Sequence, residues 1–371
     1  MHQISVQRVQ PGASLGQTVY GGRGQVLARA GAALSARQIE QLQGLGVSSI
    51  LIDDEETADL EFSAGIQETT RQQAYVFVEE LLARLHEDHM GLRSEDITEA
   101  QGLADTMHRE VMSSQARELN LMPPRTAAQY AIQHPVHVAV LGLVVGLGMR
   151  LTETSLRRMA AAALLMDIGQ VWLPDGLLAK PDTFTDEETK RVREHPLRAL
   201  AMIRQLPQFD QVIATSILLH HERWDGSGYP RGVKGEQIGA AARILAVADT
   251  YDALIAGATR SEERPDGEAW PPHMAMEFIM AYAGDTYDPG VADAFVSAVP
   301  SFPPGMLVRL DSGDQGVVVQ ANLGLPGRPA VRAHYGAAGE RLAEPAVVDL
   351  SRPENQARSV ASLLDDWEVA A

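Results

Sequence analysis

The stretch Ile217–Pro230, ILLHHERWDGSGYP, constrains the rest of the chain more than any other. An apolar helical run ends in two adjacent histidines, His220 and His221, followed by Glu222. It then breaks into a loop carrying Asp225, Gly226, Gly228, Tyr229 and Pro230. Two imidazoles at the mouth of a buried helix, beside a glycine-rich turn, suit a metal site more than a packing site. Gly226 and Gly228 permit a tight turn, and Tyr229–Pro230 can wedge it against the core.

Two further apolar helical runs swallow carboxylates. One is AAALLMDIG, with Asp167, and the other is ILAVADTYDAL, with Asp249 and Asp252. A carboxylate in such a setting is costly unless it is paired or bound to a metal. Either one alone reads equally well as a structural ion pair; both, with the paired histidines, make a shared metal centre the simpler explanation. His134 opens an apolar helix in YAIQHPVHVAVLGLVV, and His195 precedes Pro196 in ETKRVREHPLRAL. A lone histidine in either place is more often a satisfied core or surface group than a ligand. The chain contains no cysteine. That excludes disulfides, thiolate catalysis and cysteine-held metals, leaving histidine and carboxylate as the available ligands.

At 371 residues the chain has room for two or three domains. With 45% apolar and 22% charged residues it belongs with globular proteins. The formal charge of -18 speaks against a nucleic-acid or anionic-membrane surface, since both need basic patches. The N-terminal MHQISVQRVQ lacks a signal pattern. The longest apolar run, Val138–Met149, has twelve residues, too short for a membrane span. A cytoplasmic protein is the expectation.

The texture along the chain is mainly α, flanked by two smaller regions. Residues 1–62 read as a small α/β domain: strands at Ile4–Val9, Thr18–Tyr20, Gln25–Ala28 and Val47–Ile52, a Gly21–Gly22 turn, and a helix from an Ser35 cap to a Gly46 stop. Residues 63–118 read as a helical connector, with Phe77, Leu81 and Leu85 and then Leu103, Met107 and Val111 at four-residue steps. Such helices form a connector, a dimer stalk or packing for the next domain. Residues 119–300 are helical throughout by period. From 301 to 371 comes a small β-rich segment, with strands at Met306–Leu310, Gly316–Gln320, Ala330–His334 and Ala346–Leu350. A terminal helix is expected there, with Leu363, Leu364 and Trp367 on one side.

The string HHExxDGxGYP at 220–230 resembles the signature of HD-GYP domains, metal-dependent phosphodiesterases that cleave the bacterial second messenger cyclic di-GMP. The family's ordered series matches His134, Asp167, His195, His220 with His221, and Asp249, and connecting phrases such as LLAKPDTFTDEE and GDTYDP match as well. The resemblance spans about 119–298. It implies an HD-superfamily helical domain and one or two divalent ions, iron or manganese. Asp167, His195, His220 and His221 would surround one ion, and His134, Asp167 and Asp249 would hold the other. A metal pair of this kind acidifies water and clamps phosphate oxygens. The implied ligand is cyclic di-GMP or a related cyclic dinucleotide, with Lys180, Tyr229, Lys234 and Arg243 as candidate contacts. Each of those cations reads equally as an ion pair or a solvated charge. In the family the GYP loop is also associated with docking of diguanylate cyclase proteins.

Three departures from the family pattern bear on activity. Met166 replaces the histidine of the HD pair, and a thioether is a poor donor to hard ions. Gln170 stands where the family has a lysine; it can hydrogen-bond a phosphate in a catalytic role but cannot neutralise it. The basic stretch after DAL is absent, Arg260 and Arg264 being out of register, and Tyr130 replaces the glutamate of members with three metals. His137, one turn beyond His134, is a possible substitute donor. HEDH at 86–89 and His273 read as surface groups. Two functions follow: a phosphodiesterase with a weakened metal centre, or an inactive module that binds metal, nucleotide or protein. A homodimer is compatible with either.

Overall fold

The computed structural model describes the chain apart from residues 21–24, 46, 48, 61–64, 88–90, 114–129, 179, 181–182, 208, 258–268, 323 and 369–371. The Gly21–Gly22 turn, the Gly46 stop, Arg260 and Arg264 lie outside the described residues. The chain divides into two compact units. One joins residues 1–65, 115–129 and 299–371, and the other takes 66–114 and 130–298.

The first unit holds two small cores. Its N-terminal part runs β1 (His2–Ser5), β2 (Ser14–Leu15), β3 (Val19–Tyr20), β4 (Val26–Ala28), α1 (Ala36–Gly44) and β5 (Ser49–Asp53). β1, β5 and β2 form an antiparallel sheet in that order, and β3 pairs with β4. Ser35 closes a reciprocal capping box with Gln38, satisfying two amides at the start of α1. Ile39 and Leu42 of α1 bury against Ile4, Leu15 and Ile50. The C-terminal part runs β6 (Leu307–Leu310), β7 (Gln315–Gln320), β8 (Ala330–Tyr335), β9 (Arg341–Asp349) and β10 (Val360–Leu363), a sheet ordered β10–β6–β7–β8–β9. The terminal segment is therefore a strand where the sequence suggests a helix. Val360 and Leu363 pack on the core of Val308, Leu310 and Val331, and pairing with β6 satisfies backbone that a single exposed helical turn would leave to water.

Polar contacts join the two parts of this unit. Gln3 donates its amide to Gly305 O at 2.8 Å, Arg332 grips Asp59 at 2.7 Å, and Trp367 Nε1 donates to Asp54 at 3.1 Å. Burial works against the charge on Asp54, yet hydrogen bonds from His2, Thr57 and Trp367 hold its carboxyl well below the usual range.

The second unit is helical among the described residues: α2 (Glu68–Glu87), α3 (Ser94–Ser113), α4 (Tyr130–Gly148), α5 (Glu153–Leu165), α6 (Asp186–Val192), α7 (His195–Ile203), α8 (Gln211–Leu219), α9 (Ala240–Ala256), α10 (Pro272–Ala281) and α11 (Pro289–Ala298). α4 is apolar around most of its circumference, and α2, α3, α5, α9 and α11 pack against it. It is 19 residues long and apolar enough to cross a membrane by length and composition, but 78% of its apolar window is buried inside the protein, as in a core helix. α5 meets α4 through Leu156 and Met159, which lie against Gly146 and Gly142 of α4, and its Ala160–Ala163 run is fully buried. A methyl on Gly146 would come within 2.6 Å of Leu156. α2 and α3 pack into this same unit, against α4 and α5.

Helix ends in this unit are set by short-range chemistry. Asp210 caps α8 by accepting from Val212 N at 2.8 Å and Ile213 N at 3.3 Å. Thr185 and Glu188 form a capping box on α6. α9 stops at Gly257, whose left-handed φ of 58° suits glycine. After α5 the chain turns through Asp167 into a 3-10 segment, Ile168–Trp172, pressed on the start of α7. A Cβ on Gly169 would lie 2.0 Å from His195 O and 2.9 Å from Ala199 N. Gly169→Ala should therefore push α7 off this turn and cost about 1–3 kcal/mol or more, read as a lower denaturation midpoint. A midpoint equal to that of wild type would show that α7 is not seated on residue 169.

A candidate metal centre

Four imidazoles and two carboxylates meet where five helical segments converge. His195 is the first residue of α7, His220 caps the C-terminus of α8, and His221 follows it. One ring nitrogen from each lies within 4.8 Å of the other two. His195 Nδ1 donates to Val192 O at 2.7 Å, and His220 Nδ1 donates to Ile217 O at 2.6 Å. Both backbone partners are acceptors, so both rings carry their hydrogen on Nδ1. Their Nε2 atoms then face each other at 3.3 Å with lone pairs opposed. Burial, followed by the charge of neighbouring imidazoles, lowers the His220 pKa to about 4, so the His220 ring stays neutral and its Nε2 presents a lone pair to the gap. Two neutral imidazoles facing each other in this way repel unless a cation, a proton or a metal ion, lies between them. On this ground the residues present fit a metal ion.

The carboxylates complete the set. Asp167 Oδ1 lies 3.4 Å from His195 Nε2, and Asp167 Oδ2 lies 3.9 Å from His134 Nε2. Asp249 on α9 reaches His134 Nε2 at 2.8 Å and His221 Nδ1 at 3.5 Å. The six residues singled out from the sequence thus form one continuous cluster. It has an open side. The side chains of Asp167 and Asp249 are 15% exposed and that of His221 is 25% exposed, whereas those of His134 and His195 are 3% and 2% exposed. A ligand reaches the carboxylates and His221 first.

Met166, Gln170, Tyr130 and His137 have definite places. Met166 is fully buried as the C-cap of α5. Gln170 lies in the 3-10 segment, where its Nε2 donates to Asp167 Oδ1 at 2.7 Å. Tyr130 stacks on His134 at 4.7 Å between ring centroids. His137 does not substitute for a lost donor: its Nε2 is 2.8 Å from the Tyr75 hydroxyl and its Nδ1 is 3.4 Å from Asp252.

Of the candidate phosphate contacts, Lys180 is ion-paired with Glu188 at 2.9 Å. Arg243 is paired with Asp288 of the GDTYDP segment and lies over Trp224 at 5.4 Å. Lys234 is exposed beside Gly226 of the loop. Tyr229 stacks on His221 at 4.7 Å, with the Arg193 guanidinium 5.2 Å from its other face. A cavity of about 320 Å³ borders Gly169 and His195, flanked by Trp172, Arg191 and Arg198.

Three residues have roles that the sequence does not assign to them. Glu222 is buried at 3% exposure and accepts from Arg231 N at 2.6 Å and Val233 N at 3.1 Å, anchoring the GYP loop. Its adjacency to two histidines suggests a ligand, but its oxygens serve the loop. Asp252, fully buried, accepts from His134 Nδ1 at 2.7 Å. Tyr75, on α2, carries no motif at all.

Without a cation, His134 takes the positive charge. Burial opposes its protonation, but hydrogen bonds to Asp249 and Asp252 outweigh burial and raise its pKa from 6.5 to about 10. The folded protein then binds a proton that the unfolded chain releases above pH 6.5. That stabilisation is complete below pH 6.5, shrinks as pH climbs, and is gone above about pH 10. Metal-free protein should therefore lose on the order of a few kcal/mol across that window, and His134→Gln should flatten the slope. Denaturant titrations in chelator at stepped pH measure both; parallel curves for the two proteins would contradict the assignment.

Comparison with known proteins places this geometry in a family. Residues 103–291, half of the chain, match the model described as HD domain. A cyclic di-GMP phosphodiesterase of Pseudomonas aeruginosa is 35% identical over 257 residues, covering 69% of this chain and 60% of that protein. The cyclic di-GMP phosphodiesterase response regulator RpfG of Xanthomonas campestris pv. campestris is 34% identical over 230 residues, covering 62% and 54%. The chain spans little more than half the length of these curated relatives. Among solved structures, an HDG"Y"P protein from Bdellovibrio bacteriovorus aligns with a TM-score of 0.48 at 16% identity, covering 79% of this chain and 97% of that one. With the HD model matched across the donor cluster and HHExxDGxGYP intact at 220–230, the chain belongs to the HD domain family and is a protein of the HD-GYP type.

Proposed function

We propose that this chain is a metal-dependent phosphodiesterase that hydrolyses cyclic di-GMP from a metal centre thinner than that of the family pattern. The observation that carries the reading is the pair of opposed Nε2 atoms of His195 and His220, 3.3 Å apart, with Asp167 beside them. His195, His220, His221 and Asp167 would hold one ion; His134, Asp167 and Asp249 would hold a second. Iron or manganese suits such nitrogen and oxygen donors. The bound ions supply positive charge for a phosphodiester and acidify water near neutral pH.

The chain's own residues do the rest. His195 and His220 are held by backbone carbonyls, so their donor atoms need no reorientation when an ion arrives. Gln170 fixes the Asp167 carboxylate and can turn its second amide hydrogen toward a phosphate oxygen, giving direction without charge. Tyr229, stacked on His221, offers a ring edge at the open side for a base or ribose. Lys234 stands on the loop, while Lys180 and Arg243 would have to exchange Glu188 and Asp288 for a phosphate.

A second reading is favoured by one observation. Gln170 is neutral and already bonded to Asp167, and Met166 brings no hard donor, so the site holds a metal better than it handles a phosphate. On that reading the protein is an inactive module that binds an ion or a cyclic dinucleotide and acts through the GYP loop on partners such as diguanylate cyclases.

Anaerobically purified protein separates the two. The enzyme reading expects two ions per chain and linearised product with added iron or manganese, abolished by Asp167→Ala. One ion and no product would leave the module. Met166→His combined with Gln170→Lys should raise turnover about tenfold or more; an unchanged rate would mean that those two positions are not what limits it.

A further inference from the structure

Two buried side chains lie beside the donor cluster without joining it. Asp252, on α9, has Oδ2 2.7 Å from His134 Nδ1 and Oδ1 3.4 Å from His137 Nδ1. His137, on α4, has Nε2 2.8 Å from the hydroxyl of Tyr75 on α2. The contacts join residues 62 positions apart and then 118 positions apart, so only the tertiary fold assembles this line. It runs from α2, through α4 and α9, to a residue of the proposed metal centre.

Hydrogen positions along the line follow from the donor inventory. A carboxylate can only accept, so the His137 hydrogen belongs on Nδ1, 3.4 Å from Asp252 Oδ1, and Nε2 is left to accept from the Tyr75 hydroxyl. The Asp252 carboxylate then has one imidazole on each oxygen, and it accepts from His134 Nδ1. That leaves His134 Nε2 as the nitrogen turned toward Asp249 and Asp167. Each group sets the tautomer and the ring orientation of the next. A packing role explains an aromatic residue at 75, but it does not require a hydroxyl aimed at an imidazole nitrogen.

We infer that Tyr75 is a positioning residue for His134, acting through His137 and Asp252, so that the seating of α2 on α4 tunes how tightly the centre holds its ion. The inference rests on the proposed metal centre. It has added weight in this chain because Met166, next to Asp167, brings no nitrogen donor. His134 and the carboxylates are left to hold the second ion, and an imidazole free to rotate would hold it poorly.

The test measures metal affinity rather than turnover. Full-length wild type, Tyr75→Phe and His137→Ala are titrated anaerobically with manganese and cobalt against a competing chelator. Melting of each is followed in chelator alone. Tyr75→Phe, which deletes one oxygen atom, should weaken binding of at least one ion about tenfold with little change in metal-free melting, and His137→Ala should weaken it about ten- to hundredfold. The visible bands of the cobalt form should shift in both variants. Wild-type affinity and an unchanged cobalt spectrum in Tyr75→Phe would overturn the inference while leaving the centre intact. A wild type that takes up no ion would overturn the metal centre itself, and the inference with it.

Discussion

Two imidazoles whose outer nitrogens are tied to backbone carbonyls, and whose inner nitrogens confront each other 3.3 Å apart, are the constraint around which the helical unit is arranged. Neither ring can rotate away without breaking its hydrogen bond to Val192 or Ile217. Neither carbonyl can donate a proton in return. The fold therefore commits to a pocket that is electrostatically unfavourable when empty and favourable around a cation. Such an arrangement is maintained by the surrounding core, here by the buried helix α4 and by the fully buried alanine run of α5.

The donors come from two kinds of place, with different physical consequences. Asp167, His195, His220 and His221 sit at helix ends, where a residue can face inward without disturbing a helical stripe. Their placement depends on neighbouring turns. Gly169 lets the 3-10 segment lie against α7, Asp210 fixes the start of α8, and Glu222 ties down the loop that follows His221. His134 and Asp249 lie within helices, and their aim depends on which face those helices bury. A helix-body donor needs a second layer to hold its ring, and Asp252 supplies that layer for His134.

The extent to which the sequence is legible follows the same division. The helix-end donors stand in local strings, and HHERWDGSGYP, MDIG and REHP can each be read without knowledge of what lies opposite. Asp249 and His134 stand out because a polar residue interrupts an apolar run. The Tyr75–His137 contact leaves no trace of that kind. It joins an ordinary helical tyrosine to a histidine that sits among valines, and only the packing of α2 on α4 brings them together. The terminal strand β10 is misread for a related reason: Leu363 and Leu364 in a short segment fit either period, and pairing with β6 decides the matter. Likewise the sequence leaves Arg243 open between an ion pair and a solvated charge, because its partner Asp288 lies 45 positions away.

Met166 and Gln170 change the electrostatics of the centre in opposite senses for cations and anions. A lysine at 170 would compete with a metal for Asp167 while attracting phosphate; a glutamine does neither by charge. The cluster contains Asp167, Asp249 and Asp252, with burial and neighbouring imidazoles holding His220 and His221 well below the ordinary histidine range. In the absence of an ion, the proton on His134 is the positive charge that the carboxylates themselves recruit. Replacing that proton with a divalent ion adds charge in the same place, so the pull of the site on cations comes from its carboxylates and does not depend on residues 166 and 170. A pull on an anionic ligand would have to come almost wholly from bound ions, because neither Met166 nor Gln170 carries positive charge.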